Sequence, residues 1–341
     1  MKKAGLFVAF IIFVLIAVFG FRYYRQNFQN NVAKEGYILI PHNANLNQII
    51  DSISPYLEDK SKFVEVAKTK KLGQFYNAGR YKIKSGTGNS DLVNMIKAGN
   101  QTENSFRIGD FDDVYQMIGK VTKKTELDSL KFVKGFDKIA SSKNLNSPED
   151  LKPYFFIDTY NFFWTVKPEE FFKKFEKDYN DFWNAKRFQK EKNSGLTRNQ
   201  IYALASIVYK ESGGKPDEMK TIAGLYLNRF HKGMKLQSDP TVIYAVNKAN
   251  NYSKKIKRVY FKDLRQESPY NTYANIGIPP GPICMVDKNS VDAVLNAQNN
   301  DFIYMCADPN HFGFHKFTEN AAEHAINAKI YQNWLNAKQI K

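Results

Sequence analysis

Only two cysteines, Cys284 and Cys306, occur in 341 residues. That excludes a disulfide scaffold and any cysteine-built zinc module, without fixing the redox compartment. Acidic residues are also scarce: 34 Asp+Glu stand against 50 Lys+Arg, a formal charge of +16. Neither a G-x-G-x-x-G nor a Walker pattern is found, so nucleotide chemistry has no foothold. The five histidines, at 42, 231, 311, 315 and 324, never form H-E-x-x-H, and only His311 and His315 lie close together. No metal and no cofactor is expected. Repeats of fixed period and low-complexity tracts are missing too.

Apolar residues make up 43% and aromatics 15%, which excludes a disordered or collagen-like chain; the length suits two or three folded units. So basic a chain fits nucleic acid, an anionic membrane face, an acidic polymer, or simply a solvated lysine-rich surface. One long apolar run narrows the choice. Ala4 to Phe21 carries no charge over 18 residues, between Lys2-Lys3 and Arg22-Tyr23-Tyr24-Arg25. That is within the ~17–25 residues of a bilayer-spanning helix, and the aromatic and basic flank suits a headgroup boundary. Phe19-Gly20-Phe21-Arg22 lacks the small residues of a cleavage site, so an uncleaved anchor is expected over a removed signal peptide. With cysteines only at 284 and 306, a lipoprotein anchor is excluded. The flanking charges nearly balance and lean toward the body of the chain lying outside the cytoplasm.

The fold class expected is α+β. Residues 1–25 form a cytoplasmic tip and transmembrane anchor, 26–36 a polar tether, 37–99 a small α+β module, 100–195 a connecting α/β region and 196–341 a larger mixed α+β core. Within the module, Tyr37–Ile40 reads as a strand stopped by Pro41, and Leu46, Ile49, Ile50 and Ile53 recur at helical spacing. Phe63 to Ala67 marks a second helix, Gly79–Ile83 a second strand, and Leu92, Val93 and Ile96 a last helix ending at Gly99. Pro168 to Lys192 reads as one helix, its Phe171, Phe172, Phe175, Tyr179, Phe182 and Trp183 an aromatic packing stripe.

The stretch from Leu196 to Tyr273 carries the chemistry. Thr197 and Gln200 form a capping-box signal for a nearly all-apolar helix through Ile201, Leu204, Ala205, Ile207 and Val208. At its far end stands Lys210-Glu211-Ser212, then Gly213-Gly214. A carboxylate there opposes the helix dipole by ~0.3–1 kcal/mol. Burial adds to this, so both effects favour the protonated form a general acid needs. The alternative is an outward Glu211 paired with Lys210 or Lys215. A second helix, Asp217 to Lys232, ends with Asn228 and Arg229, either solvent-facing or polar site residues. Asp239 before Pro240 reads first as an N-cap. Ser268-Pro269-Tyr270-Asn271-Thr272-Tyr273 and Gly277-Ile278-Pro279-Pro280-Gly281-Pro282-Ile283 are stiff loops, suited to a polar cleft wall or to rigid connection.

Taken together, L-A-S-I-V-Y-K-E-S (204–212), N-R (228–229), L-Q-S-D-P-T-V-I-Y (236–244), S-P-Y-N-T-Y (268–273) and G-I-P-P-G-P-I (277–283) resemble the MltG/YceG-like endolytic murein transglycosylases. His315, Phe317 and His324 resemble that family's closing H-x-F … H pattern, and Ile157-Asp158-Thr159-Tyr160 a further segment. The 37–99 module resembles the family's LysM-like domain, and the anchor its membrane tether. Two positions depart from the pattern. Tyr209 stands where members commonly carry another glutamate, and Lys152-Pro153 where Glu-Gly often precedes the Asp-Thr-Tyr segment.

The resemblance implies cleavage between N-acetylmuramic acid and N-acetylglucosamine inside peptidoglycan strands, leaving 1,6-anhydro ends without water. It makes Glu211 the general acid and then the base. Asn228, Gln237, Ser238, Asp239, Thr241, Tyr270, Asn271 and Thr272 become candidates for gripping the sugars. The partners it implies are the glycan strands, the plasma (inner) membrane through residues 4–21 and peptidoglycan synthases, with the body extracytoplasmic and no nucleic acid bound. Three readings compete. One is an inverting hydrolase with Asp239 as the base, whose two carboxylates would stand ~6.5–9.5 Å apart. Another is a non-catalytic wall-binding protein. The third is nucleic-acid binding through Lys254, Lys255, Lys257, Arg258, Lys262 and Arg265, interleaved with Tyr252, Tyr260 and Phe261.

Overall fold

The apolar run folds into one helix, α1 (Lys2–Asn27). Its Gly5–Asn27 segment of 23 residues has a mean hydropathy of 2.6 with none of that window buried. At ~1.5 Å per residue it reaches about 35 Å, enough to cross a ~30 Å hydrocarbon core. The computed structural model describes residues 2–253, 255–256 and 258–338. Lys254 and Lys257 of the basic stretch, and residues 1 and 339–341 of the expected end segments, lie outside the described residues.

Two compact units follow from the packing. The first takes residues 1–106, 122–128 and 161–167. It contains β1 (Gly36–Ile40), α2 (Leu46–Ile53), α3 (Lys60–Thr69), β2 (Gly79–Ile83) and α4 (Asn89–Ala98), in the expected order. β1 and β2 pair antiparallel with Ile38 opposite Tyr81. Alternation sends Ile38, Ile40, Tyr81 and Ile83 into the core and turns Tyr37 and Leu39 outward. Asn45 and Gln48 close a capping box on α2, and Gly99, at φ +73°, terminates α4.

The boundaries differ from those expected. Residues 26–36 are part of the module rather than a free tether. Asn31 Nδ2 donates to the Asp59 carbonyl (2.8 Å) and to Asn89 Oδ1 (2.7 Å), and Val32 is buried. Two short excursions also join this unit. Glu126 accepts from the backbone N and contacts Nδ1 of His42 (2.8 and 2.5 Å), and its own N–H reaches the Trp164 carbonyl (2.8 Å). Hydrogen bonds between residues this distant in sequence carry no local signature.

The second unit takes residues 107–121, 129–160 and 168–341. The chain passes between the units within β3 (Asn104–Arg107) and later within β4 (Thr159–Phe162). Between these strands lie α5 (Val114–Val121) and α6 (Ser129–Ser142). Then come α7 (Pro168–Phe182), α8 (Ala185–Ser194), α9 (Arg198–Ser212), α10 (Pro216–His231), α11 (Asp239–Ala249), α12 (Lys288–Leu295), β5 (Tyr304–Ala307), β6 (His315–Thr318) and α13 (Ala321–Ala337). The single aromatic helix expected over 168–192 is two helices. Asn184 accepts from the Arg187 N–H and starts α8 afresh, while Trp183 turns inward and donates Nε1–H to the Tyr202 hydroxyl (3.1 Å). The stripe itself is packing: Phe171, Phe172, Phe175, Phe182 and Trp183 are all buried.

α9 is the centre of this unit. Thr197 and Gln200 form its capping box, and Ile201 through Val208 are buried against α10, α11 and α12. Beneath the proline-rich loop sits Lys152, 3% exposed. Its Nζ lies 3.1 Å from the Pro282 carbonyl, 3.3 Å from the Tyr244 hydroxyl and 3.2 Å from Glu149 Oε2. Lysine is tolerated there because each of its donors finds an oxygen.

Candidate active site

Glu211 stands in the last turn of α9, which ends abruptly because Gly213 and Gly214 adopt φ +60° and +78°, a left-handed pair that disfavours side chains. Neither neighbouring lysine meets its carboxylate. Lys210 pairs with Asp110 (2.7 Å) and Asp112 (3.5 Å), and Lys215 donates to the Gly313 carbonyl (3.2 Å). The outward reading of Glu211 is therefore wrong. Its Oε1 accepts hydrogen bonds from Ser238 Oγ (2.5 Å) and from the Tyr226 hydroxyl (2.9 Å).

Its other oxygen, Oε2, takes no hydrogen bond from the described residues and is not among the sealed-off polar atoms, so it is open. Glu211 lines a cleft of about 230 Å³ together with residues of α10, Gln237, Asp239, Tyr273 and the 305–315 hairpin. Burial pushes the Glu211 carboxyl above the ordinary range, and the charge of Asp239 adds to this. Ser238, Tyr226 and His315 oppose the rise by favouring the ionised form. Tyr226 is itself raised, first by burial and then by Glu211, which keeps its hydroxyl a donor.

Ser238 shows how the cleft overrides a local rule. It occupies the N-cap position of α11, displacing Asp239 to the first helical residue, contrary to expectation. Its hydroxyl caps nothing and goes to Glu211 instead. A helix that forgoes its cap to place a donor is the kind of local concession found at functional sites.

Of the remaining candidates, Gln237 and Asp239 line the cleft, Asp239 accepting from the Tyr273 hydroxyl (2.7 Å). Asn228, Thr241, Tyr270, Asn271 and Thr272 are not among the residues that line it; their side chains tie neighbouring segments together. Asn228 Nδ2 donates to the carbonyls of Asn300 (2.7 Å) and Phe302 (3.0 Å). Thr241 and Thr272 share a hydroxyl contact (2.8 Å), and Thr272 Oγ1 accepts from the Ser238 N–H (2.9 Å). Asn271 Nδ2 donates to the carbonyls of Leu264 and Gln266, both at 2.9 Å. Tyr270 packs edge-on against Tyr244.

Sequence reasoning left Tyr226, Tyr273, Met305, Cys306, Ala307 and His315 out of the site and left Arg229 open between solvent and site, yet all seven line the cleft. Tyr226 reads as one more apolar residue of an amphipathic helix. Tyr273 and His315 belong to motifs already singled out, which was the available signal. Cys284 and Cys306 are both free thiols: Cys284 is buried and pushed up to about 12, whereas Cys306 is only half-buried. In the basic stretch, Lys255 is engaged by Asp112 (3.2 Å) and Gln116 (2.7 Å).

Residues 38–330 match the YceG-like family. The chain belongs to that family. This YceG-like chain is 33% identical over 229 residues to an endolytic murein transglycosylase of Bacillus subtilis, covering 66% of the chain and 59% of the relative. It is 32% identical over 142 residues to an endolytic murein transglycosylase of Streptococcus pneumoniae, covering 42% and 25% respectively. The chain thus spans less than two thirds of these relatives' length. A crystal structure of a yceG-like protein from Listeria monocytogenes superposes with a TM-score of 0.58 at 23% identity, covering 86% of this chain and 98% of that one, a likeness of fold.

Proposed function

We propose that this YceG-like protein is a membrane-anchored endolytic murein transglycosylase with Glu211 as its acid. The observation that carries the reading is the division of labour within one carboxyl group. Two hydroxyls hold Oε1, Oε2 takes no hydrogen bond from the described residues, Glu211 lines the cleft, and burial favours the proton. Glu211 gives that proton to the glycosidic oxygen between N-acetylmuramic acid and N-acetylglucosamine. The sugar's 6-hydroxyl closes onto C1, its proton returning to the carboxylate, and a 1,6-anhydro end results. Proximity of an internal nucleophile removes the need for a carboxylate that activates water.

Gln237 and Asp239 contact the sugar, and Asn228, Thr241, Tyr270, Asn271 and Thr272 act as positioning residues beneath the loops. α1 spans the plasma membrane with the folded units on its outer face, and the 37–99 module binds glycan or spaces the cleft from the bilayer. A second reading has one observation behind it: Asp239 lines the same cleft as Glu211, as an inverting hydrolase requires. Mass spectrometry of digested sacculi separates the two. Anhydro ends support the transglycosylase and reducing ends the hydrolase. Glu211→Gln abolishes release in both, and wild-type release by that variant refutes both.

A further inference from the structure

The cleft contains a second group able to carry a proton. His315, the first residue of β6, is gripped at two points by Glu218 of α10. The His315 backbone N–H donates to Oε1 (2.8 Å), and Nδ1 lies 3.0 Å from Oε2. The pair is shielded, the side chains being 16% and 12% exposed. A carboxylate on Nδ1 selects the tautomer with its proton there and leaves Nε2 as the basic nitrogen. Nε2 takes no hydrogen bond from the described residues and is not sealed off, and His315 lines the cleft together with Glu211.

The other polar groups of the cleft are differently occupied. Arg229 donates to the carbonyls of Ile303 and Leu236, both at 2.6 Å, and an arginine holds its proton throughout. The Tyr226 and Tyr273 hydroxyls donate to Glu211 and Asp239. Burial raises the Cys306 thiol and keeps it protonated. Asp239 is already engaged, its Oδ1 accepting from the Tyr273 hydroxyl at 2.7 Å.

We propose that His315, positioned by Glu218, is the base that takes the proton of the sugar 6-hydroxyl and relays it to Glu211. The inference rests on the reading of Glu211 above and divides its two tasks between two groups. As Glu211 gives its proton to the glycosidic oxygen, the C1–O bond breaks and its electron pair stays with that oxygen. Nε2 takes the O6 proton, and the O–H electron pair becomes the new O6–C1 bond. The imidazolium then passes its proton to the Glu211 carboxylate. Both groups return to their starting states, and no water or other reactant is consumed. One carboxylate no longer has to reach both sides of the reacting carbon.

The test uses the full chain in detergent on purified sacculi, with Glu211→Gln, His315→Asn and His315→Ala. Asparagine keeps an amide donor near the Nδ1 position, so the Glu218 tie persists while Nε2 is lost. Expected are a fall in kcat of about 10²-fold with KM within twofold for His315→Asn, and partial recovery of His315→Ala by added imidazole. Wild-type thermal unfolding of His315→Asn shows that the fold is intact. An inactive Glu211→Gln beside a His315→Asn within threefold of wild type overturns the role of His315 alone. So does a loss in His315→Ala that imidazole leaves untouched. An active Glu211→Gln overturns the underlying reading itself.

Discussion

Replacing Ser238 by alanine removes a hydroxyl that donates to Glu211 Oε1 at 2.5 Å and caps no helix. A hydrogen bond to a charged group contributes about 1.5–3 kcal/mol, and each 1.36 kcal/mol is tenfold in the ratio of protonated to ionised carboxyl. The bond favours the ionised form, so its loss raises that ratio roughly 10- to 100-fold at fixed pH. Glu211 is only partly buried and Tyr226 still donates to the same oxygen, which favours the lower figure. An acid works while protonated. The basic limb of the pH–kcat/KM profile therefore moves to higher pH in Ser238→Ala, and further still with Tyr226→Phe added. Release of soluble muropeptides from sacculi across pH 5 to 9 measures it, with end-group analysis showing unchanged chemistry. A basic limb that stays in place or moves to lower pH refutes the claim that Ser238 tunes Glu211.

Three further outcomes are expected. The raised Glu211 carboxyl favours the folded state below the unfolded-state value, and this contribution is lost as pH rises through the folded-state value. Glu211→Gln, which cannot ionise, should therefore gain in Tm relative to wild type as pH increases; a difference independent of pH contradicts the assignment. Lys152→Ala breaks a buried ion pair and leaves the Pro282 carbonyl without its donor, costing about 3 kcal/mol by denaturant unfolding; a cost below 1 kcal/mol means that the lysine is not structural. A maleimide should label half-buried Cys306 before buried Cys284, slowly because the thiol is held protonated, and should block the cleft; inactivation that persists in Cys306→Ala places the block elsewhere.

Much of the architecture is readable residue by residue. The strand of Tyr37–Ile40, the cap at Thr197, the apolar face of α9 and the glycine stop at 213 are decided by neighbours a few positions apart. The break at Trp183-Asn184 escapes the same reasoning. The aromatic spacing runs on unbroken, while an indole N–H seeking the Tyr202 hydroxyl lies 19 residues away in sequence. The excursions at 122–128 and 161–167 escape it for the same reason. In the cleft, a glutamate at an unfavourable helix end is visible as an anomaly and Ser238 as a candidate beside it, but the Tyr226 hydroxyl that joins Ser238 on the same oxygen is not.

Sequence alone determined that an apolar helix precedes the folded units, that the fold is α+β, and that Glu211 is the odd residue. These depend on periodicity, capping and the helix dipole, which act within a turn or two of chain. Tertiary structure decided that Glu211 turns away from Lys210 and Lys215 toward Ser238 and Tyr226. It also left Asn228, Thr241, Tyr270, Asn271 and Thr272 out of the cleft lining, and joined His315 to Glu218 across 97 residues. Hydrogen bonds between distant residues are chosen by which groups folding buries together, because a buried polar atom without a partner costs more than a local preference can offset.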